Sequence, residues 1–430
     1  MMRTNACSCI KIKFSAPATT VFKISSCVTA LCILLLASGE SQGADFSLKP
    51  SLSVSQEYTD NVYESNLNKK TDYITRAQPG LALKYTAPLW DWDLNYAFDY
   101  RYYARGSRSD ETTHNVNGKG LLKLVDEVLF LELSDTYKRV SLDVTRDTTS
   151  ESLYSNQTDQ NVATISPYLV LHPTTKISLR TGYRYINTWY KDPTAVSKQN
   201  HVGFIKANYE ISSKFFMTAD YTFTRELPRR GSSFNRHEAY VGPRYEYADK
   251  SFIFAQGGVI ATDYEDQRHS FEPSWRAGIT HTLDTFTATA TAGTSYSDDP
   301  LGDSTFTTNY ALSLTKEIQR GSLTVSGVYN EYVNGDTDQT RNKSYSCSIK
   351  GSMELLSGIT ANLGFTYENY NNVLADAYTD KYFVDSGLSW MIGKYLVLGL
   401  NYKHINYNSA KIAEDNKRIN RLILDAKVLF

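Results

Sequence analysis

Cysteine is nearly absent from most of this chain. Four of its five cysteines, Cys7, Cys9, Cys27 and Cys32, crowd into the first 43 positions. Only Cys347 remains beyond them, so no internal disulfide can staple the rest. Neither sign of charge dominates. After residue 43 there are 41 basic and 45 acidic residues, a net charge of −4, which leaves no polybasic footprint for nucleic acid. Long apolar runs are missing too. The best, Val28–Ala37, covers about ten residues, half of the roughly 20 that a membrane-crossing helix requires. A membrane chain without such helices has one architecture left, a closed β-barrel.

Signatures of catalysis and metal binding are equally scarce. No His-Glu-x-x-His or Cys-x-x-Cys spacing occurs, although each would place ligands or nucleophiles on one face of an element. The seven histidines are scattered; His114, His237, His269 and His404 fall near long connections, and His172 and His281 near short ones. Asp263, Glu265, Asp266 and His269 share one loop, but acidic side chains on a loop tip are ordinarily solvated. No metal, no cofactor and no enzymatic activity is expected.

What the chain has in abundance is a period of two. Trp92, Leu94, Tyr96, Phe98, Tyr100 and Tyr102 alternate with Asp93, Asn95, Ala97, Asp99 and Arg101. Ile177, Leu179, Tyr183 and Tyr185 oppose Lys176, Ser178, Arg180 and Arg184. Ile359, Ala361, Leu363, Phe365 and Tyr367 oppose Thr360, Asn362, Thr366 and Glu368. Such alternation makes strands with one oily and one wet face.

The two ends say which environments those faces meet. Lys11, Lys13 and Lys23 precede Val28–Ala37, and Ser41-Gln42-Gly43 before Ala44 offers small residues for cleavage. Residues 1–43 therefore read as an export signal and residues 44–430 as the mature domain. At the far end Leu422, Leu424, Ala426, Val428 and Phe430 occupy every second position. This resembles the last strand of bacterial outer-membrane barrels. The resemblance implies that Leu424, Ala426, Val428 and Phe430 form the signal read by the barrel-assembly machinery.

Nine short connections, from Ala87–Asp91 to Gly393-Lys394, alternate with ten long ones, from Thr59–Thr71 to Asn406–Asn416. The expected fold is all-β: a transmembrane antiparallel up-and-down β-barrel of about 20 strands (18 to 22), with both termini periplasmic. Strands should run about 12 residues. Aromatic girdles are expected at the two interfaces. Tyr100, Tyr102, Tyr103, Tyr185, Trp189, Tyr190, Tyr329, Tyr332, Tyr367, Tyr370, Tyr402 and Tyr407 would form one. Trp90, Trp92, Phe215, Phe252, Trp390, Tyr395 and Phe430 would form the other.

Charges on the lipid face cost several kcal/mol near the midplane. Asp93, Asp99, Arg101, Arg180, Arg184, Lys206, Asp220, Glu368, Asp425 and Lys427 all take the wet parity and are the expected lumen residues. They either line an aqueous pore or pair across it to hold its shape. Arg101, Arg180 and Arg184 are candidates for an anion- or sugar-facing ladder. Twenty strands should enclose water, and Ser141–Asn156 is the loop best placed to narrow the channel.

One local motif goes further. Leu48-Lys49-Pro50-Ser51-Leu52-Ser53-Val54, followed by Glu57-Tyr58-Thr59-Asp60-Asn61-Val62, resembles the opening of outer-membrane barrels associated with exosortase/PEP-CTERM and exopolysaccharide gene clusters, related to β-barrel porins. The resemblance implies a passive, porin-like channel in the Gram-negative outer membrane, linked to surface-polymer export. A non-conducting structural or docking barrel is the alternative. Implied partners are outer-membrane lipid and lipopolysaccharide, the barrel-assembly machinery and a polysaccharide. No strand shows a distinct outward face, which favours a monomer.

Overall fold

The computed structural model describes residues 44–430, apart from residues 147, 148, 150, 151, 153, 154, 267, 303, 336, 338, 413 and 414. The expected export signal lies outside the described residues. The alternating segments form twenty strands. The first six are β1 (Asp45–Thr59), β2 (Asp72–Thr86), β3 (Trp90–Tyr103), β4 (Glu111–Val125), β5 (Leu129–Ser141) and β6 (Gln157–Thr174). Next come β7 (Ile177–Tyr190), β8 (Lys198–Ser212), β9 (Phe215–Pro228), β10 (Phe234–Ala248), β11 (Ser251–Tyr264) and β12 (His269–Leu283). The chain continues with β13 (Phe286–Asp298), β14 (Ser304–Ile318), β15 (Gly321–Asn334) and β16 (Thr340–Leu356). It closes with β17 (Ile359–Asn372), β18 (Ala377–Ile392), β19 (Leu396–Ser409) and β20 (Lys417–Leu429).

Each strand pairs antiparallel with the next, and β20 returns to pair with β1. Nine residue pairs close the seam, from Ser51↔Leu429 to Thr59↔Arg421. Closure satisfies the backbone groups that two free edges would leave unpaired. The result is a closed 20-stranded antiparallel barrel, with both ends of the ring at its short-turn end.

Strands run 13 to 18 residues, longer than the expected 12, because cross-strand pairing continues into segments whose composition reads as loop. The connection between β11 and β12 thus shrinks to residues 265–268, and that between β17 and β18 to residues 373–376. Prolines interrupt the ladders locally. Pairing skips beside Pro79, Pro167 and Pro243, each of which lacks the N–H a ladder needs. At Gly242 the neighbouring backbone comes so near that a Cβ would meet the Ala255 carbonyl oxygen at 1.9 Å.

The two faces differ as their parity demands. Leu363, Ile165 and Tyr102 are exposed on the outer wall, whereas Asp99, Arg421 and Ser166 are buried inside. Parity also corrects part of the outer girdle. Tyr103, Tyr190, Tyr332, Tyr370 and Tyr407 are buried and take the inward parity, so they cannot serve as outward anchors. Tyr102 and Tyr103 show the reason: neighbours on a strand point to opposite faces, and one is 47% exposed while the other is 2% exposed.

A barrel has no central core, yet two small apolar clusters sit inside its long-loop end. Val62, Ile74 and Tyr103 form one, and Ile405, Tyr407 and Ile419 form the other, backed by Phe383. Ile74 and Ile405 are completely shielded. Inward-facing isoleucines in that state need a cover. For Ile74 the β1–β2 loop supplies it through Val62 and Tyr63, and Ile405 packs with Tyr407 on its own strand and with Ile419 and Phe383 of neighbouring strands.

Candidate functional site

Inside the long-loop end, charges alternate from strand to strand. Asp99 on β3 accepts from Arg76 on β2 at 2.7 Å and from Arg101 at 2.9 Å. Arg101 lies 3.6 Å from Glu111 on β4, which pairs with Arg139 on β5 at 2.6 Å. Arg139 reaches Asp159 on β6 at 3.2 Å, and Asp159 holds Lys191 at 3.2 Å. Each carboxylate in the row therefore lies between two cations. The expected anion-facing ladder is corrected here, because Arg101 is neutralised on both sides.

The remaining expected lumen residues divide into three groups. Arg180 pairs with Glu132 at 3.4 Å and stacks 3.8 Å over Tyr168. Asp220 pairs with Arg276 at 3.3 Å, and Glu368 with Lys381 at 2.5 Å. Asp93 and Asp425 instead accept amide hydrogen bonds from Asn95 (2.7 Å) and Asn401 (3.0 Å). Arg184, Lys206 and Lys427 have no carboxylate partner among the described residues; Arg184 lies only over the Phe204 ring, at 5.4 Å. The inner wall thus mixes self-neutralised pairs with cations that make no ion pair among the described residues, Arg184, Lys206 and Lys427 among them; Lys206 stands opposite Asp220 in the register.

The loop between β5 and β6 crosses the mouth. Asp143 caps its first turn, accepting from the Thr145 backbone N–H at 2.9 Å and hydroxyl at 2.6 Å. Thr145 shares a 3.0 Å hydrogen bond with the Tyr370 hydroxyl on β17 and accepts from Asn342 on β16 at 2.7 Å. Arg146 pairs with Asp415 at 2.8 Å, its guanidinium 5.3 Å from both the Tyr370 and Tyr407 rings. Further along, Ser152 donates to Glu64 at 2.6 Å. Strands β6 and β17 stand on opposite sides of the ring, so this loop ties one wall to the other.

Beneath the loop lies a buried charged triad. Glu64 pairs with Arg421 at 2.8 Å, and Arg421 stands 3.5 Å from Glu57, without hydrogen-bond geometry. All three side chains are at most 5% exposed. A buried arginine flanked by two carboxylates is stabilised only while both stay in place.

The acidic loop between β11 and β12 disperses its charges among protein partners. His269 binds Asp263 at 2.7 Å, Arg225 binds Glu265 at 2.8 Å, and Arg268 binds Asp266 at 2.9 Å. The Arg268 hydrogen bond holds the Asp266 carboxyl down at about 2. No group of three or more potential metal ligands converges among the described residues.

Sequence reading missed the latch partners Tyr370, Tyr407 and Asp415 and the triad of Glu57, Glu64 and Arg421. A signal existed for Tyr370, which stands two residues after Glu368 and therefore shares its inward parity.

No family model matches this chain, and no curated protein matches it. Solved structures do. The siderophore receptor PirA from Pseudomonas aeruginosa superimposes with a TM-score of 0.51 at 11% identity, over 89% of this chain and 80% of that one. A point mutant of the ferric enterobactin receptor PfeA, from the same organism, gives 0.51 at 10% identity, over 90% and 81%. Pseudomonas aeruginosa OccK7 matches over 99% of its own length and 90% of this chain, with a TM-score of 0.41 at 10% identity. For the two receptors, at these identities, the likeness establishes a shared fold, that of the outer-membrane β-barrel.

Proposed function

We propose that this chain is a passive, porin-like channel of the Gram-negative outer membrane, gated by the loop between β5 and β6. The observation that carries this reading is that Arg184, Lys206 and Lys427 stand on the inner wall without an ion pair among the described residues. Ionised side chains without a counter-charge need water, so the barrel interior is hydrated. Hydration through a closed ring of this size makes a conduit. Transport is passive, because neither the chain nor the outer membrane supplies nucleotide energy. The barrel is not an enzyme in this reading, and one barrel is the working unit.

The resemblance at Leu48–Val62 to exopolysaccharide-locus barrels supports a surface polymer or its fragments as cargo. Single-channel recording of the refolded protein, with and without neutral and anionic oligosaccharides, tests both parts. Steady conductance blocked by one sugar class supports the channel and names its cargo. A silent but folded barrel sinks the channel and favours a docking barrel. The closed latch across the mouth is the observation behind that second reading.

A further inference from the structure

Three hairpins repeat one outward-facing construction. Tyr96 on β3, Tyr183 on β7 and Tyr221 on β9 each bond through their hydroxyl to the Nδ1 of a histidine on the next strand. The partners are His114 at 3.0 Å, His201 at 2.6 Å and His237 at 2.8 Å. Directly opposite each histidine stands a second ring, from Phe98, Tyr185 or Phe223, with centroids 5.3, 5.4 and 5.0 Å away. Each histidine is the fourth residue of its strand, so all three lie at one height on one flank. Their tyrosine partners are exposed on the outer wall.

That height is informative. Phe98, level with His114, lies eight residues beyond Trp90, which at ~3.4 Å per residue and a tilt of ~40° is about 21 Å along the barrel axis. An apolar band is about 25 Å tall. The imidazoles therefore sit where acyl chains meet headgroups. With the tyrosine hydroxyl donating to Nδ1, the imidazole proton resides on Nε2, and no Nε2 has a protein partner among the described residues. An apolar residue would be cheaper at this depth, so three level donors call for three level acceptors.

We propose that His114, His201 and His237 form a binding belt for an acylated, phosphorylated glycolipid of the outer leaflet. Each Nε2–H donates to an oxygen of that lipid, either phosphate or acyl carbonyl. The inference rests on the outer-membrane reading above. The chain itself offers the conservative variant. On the β19–β20 hairpin the same position holds Asn420, whose Oδ1 accepts from the Tyr402 hydroxyl at 2.8 Å. His→Asn should accordingly keep the tyrosine bond while replacing the outward Nε2–H by an amide N–H2 of shorter reach, as Asn420 shows by donating to Asp60.

The test compares wild type with the triple variant H114N/H201N/H237N, refolded into phosphatidylcholine vesicles with and without lipid A. A wild-type protein that cannot insert at all would defeat the outer-membrane reading, separately from this one. The expected result is equal unfolding midpoints in phosphatidylcholine, a rise for wild type with lipid A, and loss of more than half that rise in the variant. An undiminished rise in the variant overturns the belt. Lipid A stripped of phosphate separates the sources: a retained rise assigns the acyl carbonyls, and a lost one assigns the phosphate. Should the variant not fold, lipid retained by washed wild type decides. Enrichment of lipid A over phosphatidylcholine supports the belt, and equal retention overturns it.

Discussion

Thr145 and Tyr370 are 225 residues apart in the chain, yet their hydroxyls share a hydrogen bond of 3.0 Å. That contact, with Arg146 wedged beside it, converts an otherwise open ring into a mouth with a strap. Arg146→Ala removes an ion pair and two cation–π contacts, together worth about 1–3 kcal/mol for a half-buried group. Each 1.4 kcal/mol is about tenfold in the ratio of closed to open mouth. Single-channel recordings of the variant should show a higher open probability, with the barrel's unfolding free energy lowered by no more than those contacts are worth. Identical gating in variant and wild type would remove the loop from the gate.

Asp99 joins two arginines, so Asp99→Asn leaves Arg76 and Arg101 facing each other with less counter-charge. Breaking a largely buried pair in this way costs about 3–5 kcal/mol. The urea midpoint should drop, and the reversal potential in a salt gradient should move toward anion preference. A drop in stability without a change in selectivity would make the charge ladder purely structural.

Arg184 has the opposite profile. Its guanidinium faces the Phe204 ring and no carboxylate among the described residues. Arg184→Gln should leave stability within about 0.5 kcal/mol while reducing anion permeability relative to cations. Unchanged selectivity would place Arg184 outside the ion path.

Much of this architecture is legible along the strand, because parity is a local property. Trp92 to Tyr102 alternate visibly, and twenty such segments with alternating turns and loops give the ring its order. Relationships between strands are not local. Arg101 reads as a free cation until pairing sets Glu111 opposite it. Register likewise turns scattered tyrosines and histidines into a level belt, as Tyr185 meets His201 and Phe223 meets His237. The inward isoleucines Ile74, Ile405 and Ile419 break the alternation near strand ends. That break, with the inward parity of Tyr370, is the sequence trace of a packed mouth.

Phe430, just past β20, is 69% exposed, while its backbone N–H donates to the Pro50 carbonyl at 3.1 Å. An exposed ring adds little to folding, so Phe430→Ala should refold in detergent with a midpoint near wild type. On the proposal that barrel-assembly machinery recognises β20 through Leu424, Ala426, Val428 and Phe430, the same variant should accumulate in cells as unassembled protein. Normal yield of assembled barrel from Phe430→Ala would leave that signal elsewhere on β20.

Cys347 and Ser348 are neighbours on β16 and test the assignment of the two faces directly. Cys347 is exposed on the outer wall, whereas Ser348 faces inward and bonds to Ser326 at 2.7 Å. In a bilayer the native thiol should react with a lipid-soluble maleimide and resist a charged, water-soluble one, since no water reaches it. In a Cys347→Ser background, Ser348→Cys should show the reverse, labelling readily with the charged reagent through the hydrated interior. The contrast separates a wet lumen from a dry one without needing conductance. If the charged reagent reaches Cys347 but not the thiol at 348, the wet and oily faces are exchanged. If it reaches neither, the interior is sealed at this level and the channel reading loses the water on which it depends.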